Sequence, residues 1–441
     1  TKGDINSTLT GDVNMAKQTL NLNFSAPNNN GIIIPMFNKS KMYFRGHTSI
    51  TGSMMNPVLN GNFEIPSISI PEIPIELKNM IVKLNGIILN GRASVEDFAS
   101  GGIVADNITT DFSMKGENFY LTNIKGNAFD GNINGNIIYN MSNAKTTIDF
   151  KGSNMNAEKT IRGAAGIKNA LSGTLAFDTK LKMQVLDYDK MIKSMTGNLS
   201  FKISNGAFGT LGRIENFFNA SNITSNAILK NTVSVISQLA GIKDAAKFEY
   251  IQGNMNFSNG WANLSTIKST GPTLAYYITG KYNILNGTTN VVVLGRLDSS
   301  VVALLGPLGD LSTSKLLAYI PKIGSATSAL VDALTSNPKA ENIAAIPALT
   351  NGSNNYKDFK VVFNGGIEST SSVKSFKWLT TVDKSAIETV DIRDVAKNLK
   401  TSLDADKQNT VKQVIDVVDS LKTQQETLKN SADELKKLFK F

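Results

Sequence analysis

The chain has 441 residues, 41% of them hydrophobic, and 45 basic against 36 acidic residues give a formal charge of +9. No cysteine occurs, which excludes disulfides, thiolate-held zinc, iron–sulfur clusters and a thiol nucleophile. The basic balance favours anionic partners such as phospholipid head groups, but the basic residues are scattered singly and no Lys/Arg run supports nucleic acid.

Ten Asn-Gly dipeptides punctuate the sequence, at 30, 60, 85, 90, 134, 205, 259, 286, 351 and 364. Asn-Gly supplies the two positive-φ positions of a type I′ turn, so the spacing predicts hairpin after hairpin. From Thr1 to about Ser153 the sequence is a succession of short alternating strands, carried by Leu20, Leu22 and Phe24, by Ile108, Phe112 and Met114, by Ile133, Ile137 and Tyr139, and by Ile148 and Phe150. Pro66, Pro71 and Pro74 alternate with isoleucines, and because proline cannot donate to a central ladder that stretch is expected to be an edge strand or a strap.

Between 154 and 298, strands alternate with short helices. Candidate helices are Asn156 to Ile167, Asp187 to Met195, Leu211 to Phe218 and Ile223 to Ala240. The clearest strand carries Leu171, Gly173, Leu175, Phe177, Leu181 and Met183 on one face, against Ser172, Thr174, Asp178, Lys180 and Lys182 on the other. Residues 299–389 are rich in Gly, Pro and Ala, with helical patches and a last strand through Phe359, Val361 and Phe363. From 390 to 441 the pattern is helical, with Val411, Val414, Val418, Leu421, Gln425, Leu428, Ala432, Leu435 and Phe439 at heptad spacing, as in a coiled coil or a docking helix. No apolar stretch reaches 18 residues. The chain begins at Thr1 without Met or a signal-peptide pattern, which is expected of a fragment or processed chain.

Catalytic and metal chemistry finds little to stand on. The one histidine, His47, sits in Phe44-Arg45-Gly46-His47-Thr48, a strand context, so any Ser/His/Asp triad or histidine metal site would have to converge on it. No GxSxG elbow, Walker A loop or GxGxxG fingerprint appears, and Gly206, Gly209 and Gly212 have the wrong spacing for a dinucleotide turn. Asp130-Gly131-Asn132-Ile133-Asn134-Gly135 matches the first half of a calcium loop, but Met141 stands where that loop needs a bidentate Glu, so a hairpin turn is expected. Asp187 and Asp189 fall at a helix start, where an N-cap role is expected. No catalytic residue, metal ligand or cofactor is assigned, and the chain is not expected to be an enzyme.

Three segments in order carry a resemblance: Leu171-Ser172-Gly173-Thr174-Leu175, then Met195 to Gly206, then Phe257-Ser258-Asn259-Gly260-Trp261. Two more continue it, Gly280 to Val291, and Gly306 to Leu311 with Tyr319-Ile320-Pro321. Together they resemble the C-terminal region of AsmA-like proteins of the AsmA/TamB group, over roughly Asn169 to Gly324. The resemblance implies a bacterial envelope protein in the periplasm, anchored in the inner membrane by an N-terminal segment that this chain lacks. Its long sheet would curl into an open apolar groove that helps move phospholipid between inner and outer membranes and maintains the outer membrane. The heptad tail is not part of that motif, and it offers a seam for envelope protein partners.

The expected fold is therefore mainly β: a long curled antiparallel sheet forming an open groove, with short amphipathic helices and the helical tail. Its parts are a β-sheet region over 1–153, a β/α region over 154–298, Gly/Pro/Ala-rich helices and final strands over 299–389, and the tail over 390–441. The residues expected to line the groove against phospholipid acyl chains are Leu171, Leu175, Phe177, Leu181, Leu199, Phe201, Ile203, Met255, Phe257, Tyr276, Ile278, Tyr282 and Ile284. The same pattern fits ordinary core beneath a helix layer or a second sheet. A competing function is a structural or adhesive β-rich envelope protein oligomerised by its tail. Asn-Gly intervals from 5 to 71 residues count against a fixed-period solenoid.

Overall fold

The computed structural model describes residues 4–32, 39–71, 74–87, 90–166, 168, 171–208, 246–304, 335–366 and 373–380. The described chain is mainly β, antiparallel, with few helices. The expected helices at Leu211 to Phe218 and Ile223 to Ala240 and the heptad tail lie outside the described residues. Two compact units divide the chain: Thr1–Gly209 with Tyr250–Ile267 and Lys281–Asn286, and Thr210–Glu249 with Lys268–Gly280 and Gly287–Phe441.

In the first unit twelve strands follow one another: β1 (Asp4–Asn14), β2 (Thr19–Ile32), β3 (Lys41–Ser53), β4 (Pro57–Ile70), β5 (Ile75–Ile87), β6 (Gly91–Ser100), β7 (Ile103–Lys115), β8 (Asn118–Ala128), β9 (Gly131–Asn140), β10 (Lys145–Asn156), β11 (Thr174–Gln184) and β12 (Thr196–Ala207). Each pairs antiparallel with the next, so the ladder continues across residue 153 without interruption. Alternation persists along the strands: in β5, Leu77, Val82 and Leu84 are half-buried while Lys78, Lys83 and Asn85 are exposed.

The hairpin chemistry differs from the expectation. Six of the ten Asn-Gly dipeptides, at 30, 60, 85, 134, 205 and 364, lie inside strands. Asn60, Asn85, Asn134 and Asn205 point to water, and their glycines lie on the sheltered face. Sterics explain it at Gly61 and Gly135, which lie tight against the neighbouring strand, whereas Gly86 meets only Asn90 Cβ, at 4.0 Å. A Cβ built on Gly135 would lie 2.8 Å from Phe150 Cγ, and one built on Gly61 would lie 2.5 Å from Thr48 Cβ. The actual tight turn between β8 and β9 uses Phe129 and Asp130, with φ of 50° and 65°. Asn259-Gly260 does make a positive-φ turn, at 50° and 78°.

The proline segment is also not an edge. β4 is paired on both sides, and Pro66 is accommodated where the ladder to β5 skips from Ile65↔Met80 to Ser67↔Lys78, opposite Asn79 at φ 50°. A local interruption of pairing removes the need for the donor that proline lacks.

Two helices are set by their caps. In α1 (Ala157–Ala165) the Asn156 side chain accepts from Lys159 N, and Gly166 at φ 71° ends the helix. In α2 (Tyr188–Ser194) the Asp187 carboxylate accepts from Lys190 N at 2.8 Å. That backbone hydrogen bond holds its pKa below the usual carboxylate range.

The strands β13 (Lys247–Ser258), β14 (Trp261–Thr270) and β15 (Leu274–Asn283) each give residues to both units. The second unit adds β16 (Thr288–Asp298), α3 (Ser299–Leu304), β17 (Thr335–Ser336), β18 (Tyr356–Gly366) and β19 (Val373–Leu379). β16 pairs with β18 and β18 with β19, both antiparallel, while the short β17 runs parallel to β19. Ala275, Leu294, Ile346, Leu349 and Leu379 form a buried core here. Arg296 on β16 grips its cross-strand partner Asp358 with two hydrogen bonds of 2.8 and 3.0 Å and lies 3.9 Å from the Tyr356 ring centroid. Asp298 is buried at the start of α3. Burial pushes its pKa up, but hydrogen bonds from Ser300, Asn351 and Ser353 outweigh that and hold it below the usual range.

Three substitutions test this account. Gly91→Ala drives a Cβ into the Lys83 carbonyl and within 2.7 Å of Phe112 Cζ, so urea unfolding should show a loss of about 1–3 kcal/mol. Gly116→Ala, at φ 57° with open space around it, should cost only the left-handed strain of about 1 kcal/mol. For Asp298 the depressed folded pKa means that its contribution is full above the unfolded value of about 3.9 and is lost as pH falls through the folded value. Asp298→Asn should therefore flatten the acid limb of the stability curve, measured by urea unfolding from neutral pH downward.

Candidate apolar binding face

Pairing the strands residue by residue exposes one feature of the first unit. A cross-strand row runs Leu9, Phe24, Thr48, Gly61, Leu84, Gly91, Phe112, Leu121, Ile137, Ile148, Leu181 and Gly197, one residue from each of β1 to β12. It contains no charge. At the ordinary strand spacing it extends roughly 50 Å along the ladder. The opposite face is polar, for example in the partners Lys83, Arg92, Asp111 and Thr122, and again in Asn136, Asp149, Lys180 and Asn198.

This row is not closed core. Only Thr48 and Phe112 in it are buried; Leu9 is exposed and the rest are intermediate. Glycines make the face shallow. With no side chain on Gly91, Gly135 or Gly152, the rings of Phe112, Phe150 and Phe177 lie across the neighbouring strand's backbone, where a Cβ would collide with them.

The expected groove residues fall on this face as follows. On β11 and β12, Leu175 pairs with Ile203, Phe177 with Phe201, Thr179 with Leu199 and Leu181 with Gly197, so five of the six named side chains there come as a contiguous patch that Leu181 extends. Leu175 and Ile203 are buried; Phe177, Phe201, Leu199 and Leu181 are half-buried. Leu171 lies beyond the strand, in a single bridge to Phe208. Leu181, Phe257 and Ile284 pack against Met183, Ile192 and Met195, where α2 covers the sheet. Met255 and Tyr282 are half-buried on β13 and β15. Tyr276 and Ile278 belong to the second unit, where burial pushes the Tyr276 phenol pKa up, partly opposed by the Ser269 hydroxyl.

The N-terminal part of the row was not among the expected groove residues. Leu84 on β5 and Phe112, Leu121, Ile137 and Ile148 on β7 to β10 extend the patch over five further strands, and the glycine of the in-strand Asn134-Gly135 was a signal for it, because it faces the Phe150 ring.

Residues weighed for other chemistry have structural surroundings. His47 is exposed on β3 between Ser25 and Asn62. Asp130 lies in the β8–β9 turn and pairs with Lys159 Nζ at 2.7 Å. Among the described residues no group of three or more His, Cys, Asp or Glu converges on a common point. No helix of the described residues is long and apolar enough to cross a membrane. Comparisons with protein-family models, with curated proteins and with solved structures find no match to this chain.

Proposed function

We propose that the chain is a lipid-binding conduit whose apolar face carries phospholipid acyl chains while the head groups remain in water. The observation that carries this reading is the uncharged twelve-strand row, half-exposed rather than closed. A bare sixteen-carbon chain in water faces on the order of 12 kcal/mol at about 0.8 kcal/mol per methylene. A continuous apolar surface removes most of that barrier with no catalytic group. Rings that pack over the glycines of the neighbouring strand keep the side-chain layer low in front of the sheet, which suits such a chain.

The resemblance to AsmA-like proteins gives the reading its setting: a periplasmic protein, anchored in the inner membrane, that helps phospholipid pass between inner and outer membranes and so maintains the outer membrane. Phe177, Leu199 and Phe201, beside the buried Leu175 and Ile203, form its best-defined contact patch, and the N-terminal row continues it.

The test is lipid extraction and native mass spectrometry on the detergent-free chain, beside Phe177→Asp/Phe201→Asp. Co-purified phospholipid that disappears in a variant with an unchanged circular dichroism spectrum is the expected result. A lipid-free wild type whose double variant unfolds would make these side chains closed core and end the proposal.

A further inference from the structure

Each strand of an antiparallel ladder reverses the last, so the connections after β1, β3, β5, β9 and β11 all lie at the same end of the first unit's sheet. Backbone hydrogen bonds tie successive connections together along that end: Met54 N donates to the Gln18 carbonyl at 2.8 Å, and Met141 N donates to the Glu117 carbonyl at 2.9 Å. This end carries a line of exposed apolar side chains. Met15 follows β1, Met55 follows β3, Ile87 closes β5, Met141 follows β9, and Leu186 and Tyr188 follow β11. Met15 is 73% exposed and Met55 78%, so neither side chain is covered by the described residues. At the other end the described turns expose Ile103 and Val104 after β6, and elsewhere use Pro71, Pro74 and Asp130.

We infer that this rim of strand-connecting tips is a membrane-docking edge that inserts its methionines and Tyr188 into the surface of a phospholipid bilayer. Tips on alternate strand pairs stand about 10 Å apart, and polar residues adjoin several of these side chains, as Asn14 does Met15, Asn56 does Met55, and Asn140 and Ser142 do Met141. A protein partner favours a contiguous, desolvated centre, whereas a fluid lipid surface accepts separate insertions. Methionine adapts to an irregular apolar medium, and tyrosine suits the boundary between apolar and wet layers. Charge does not select the partner: Lys17, Lys145, Lys190 and Lys193 share this end with Glu117, Asp187 and Asp189, and Lys190 is already paired with Asp187 at 3.2 Å. Insertion, not head-group attraction, therefore drives docking. The inference goes beyond the conduit reading and does not require it.

The experiment is co-sedimentation of the whole chain with phosphatidylcholine vesicles, comparing wild type with Met15→Ser/Met55→Ser/Met141→Ser. One fully inserted side chain is worth roughly a tenfold change in partitioning, so the triple variant should bind at least about a hundredfold more weakly. All three positions are exposed, so its unfolding midpoint should stay at the wild-type value. Added salt should leave wild-type binding unchanged. Phe177→Asp/Phe201→Asp should still sediment with vesicles even where it has lost bound lipid, which separates failure of the rim from failure of the conduit. A wild type that stays in the supernatant overturns the inference. So does a triple variant that binds like wild type, binding that needs anionic lipid and vanishes with salt, or a variant whose change is in oligomeric mass instead.

Discussion

Register is the constraint on which the first unit depends. Because side chains alternate between faces, a slip of one residue would move Leu84, Phe112, Ile137 and Ile148 to the wet face and bring Lys83, Asp111 and Asp149 onto the apolar one. Two devices hold it. On the wet face, Arg45–Glu64, Arg92–Asp111, Lys151–Asp178 and Lys180–Asp149 are ion pairs between residues directly opposite each other. All are well exposed and screened by solvent, so their effect is to specify alignment more than to stabilise it. On the apolar face, glycines opposite large side chains admit one alignment and reject its neighbours, since a Cβ in the glycine's place would meet backbone or ring.

The β class and the alternation were legible in the sequence because a period of two is a local property, visible wherever one face is wet. Helices α1 and α2 were legible for a similar reason, since Asn156 and Asp187 announce their starts within four residues. The turns were not. Asn-Gly satisfies two physical demands, a positive-φ turn and a small residue facing a large one, and the sequence does not distinguish them. Which demand applies depends on the strand alongside, as Gly135 against Phe150 illustrates. Pro66 misled in the same way. Its missing donor argued for an edge, while an interruption in the ladder opposite Asn79 satisfies the same requirement inside the sheet.

Where the apolar face is covered was equally hidden. Leu181 and Phe177 follow the same alternation on the same strand, yet Leu181 packs into the cluster with Met183, Ile192 and Met195, and Phe177 lies over Gly152. The difference comes from a seven-residue helix docking at one end of β11, and no periodicity within the strand encodes it.

The second unit shows what a closed arrangement of the same β chemistry looks like. Its β16 reads Val291-Val292-Val293-Leu294 without alternation, as expected of a strand sheltered on both faces. It buries Val291, Leu294 and Leu297, and can hold a charge pair such as Arg296–Asp358 at 12% and 10% side-chain exposure because two hydrogen bonds and an aromatic ring surround it. β5 and β9 have no such run, and their sheltered side chains stay half-exposed. Apolar surface left in contact with water carries a penalty near 25 cal/mol per Å², and across a row of twelve strands that penalty favours any ligand able to cover it. Under the proposed reading an acyl chain, long, narrow and without polar groups to satisfy, would cover the first unit's row, whereas the second unit buries Ala275, Leu294 and Leu349 among its own residues.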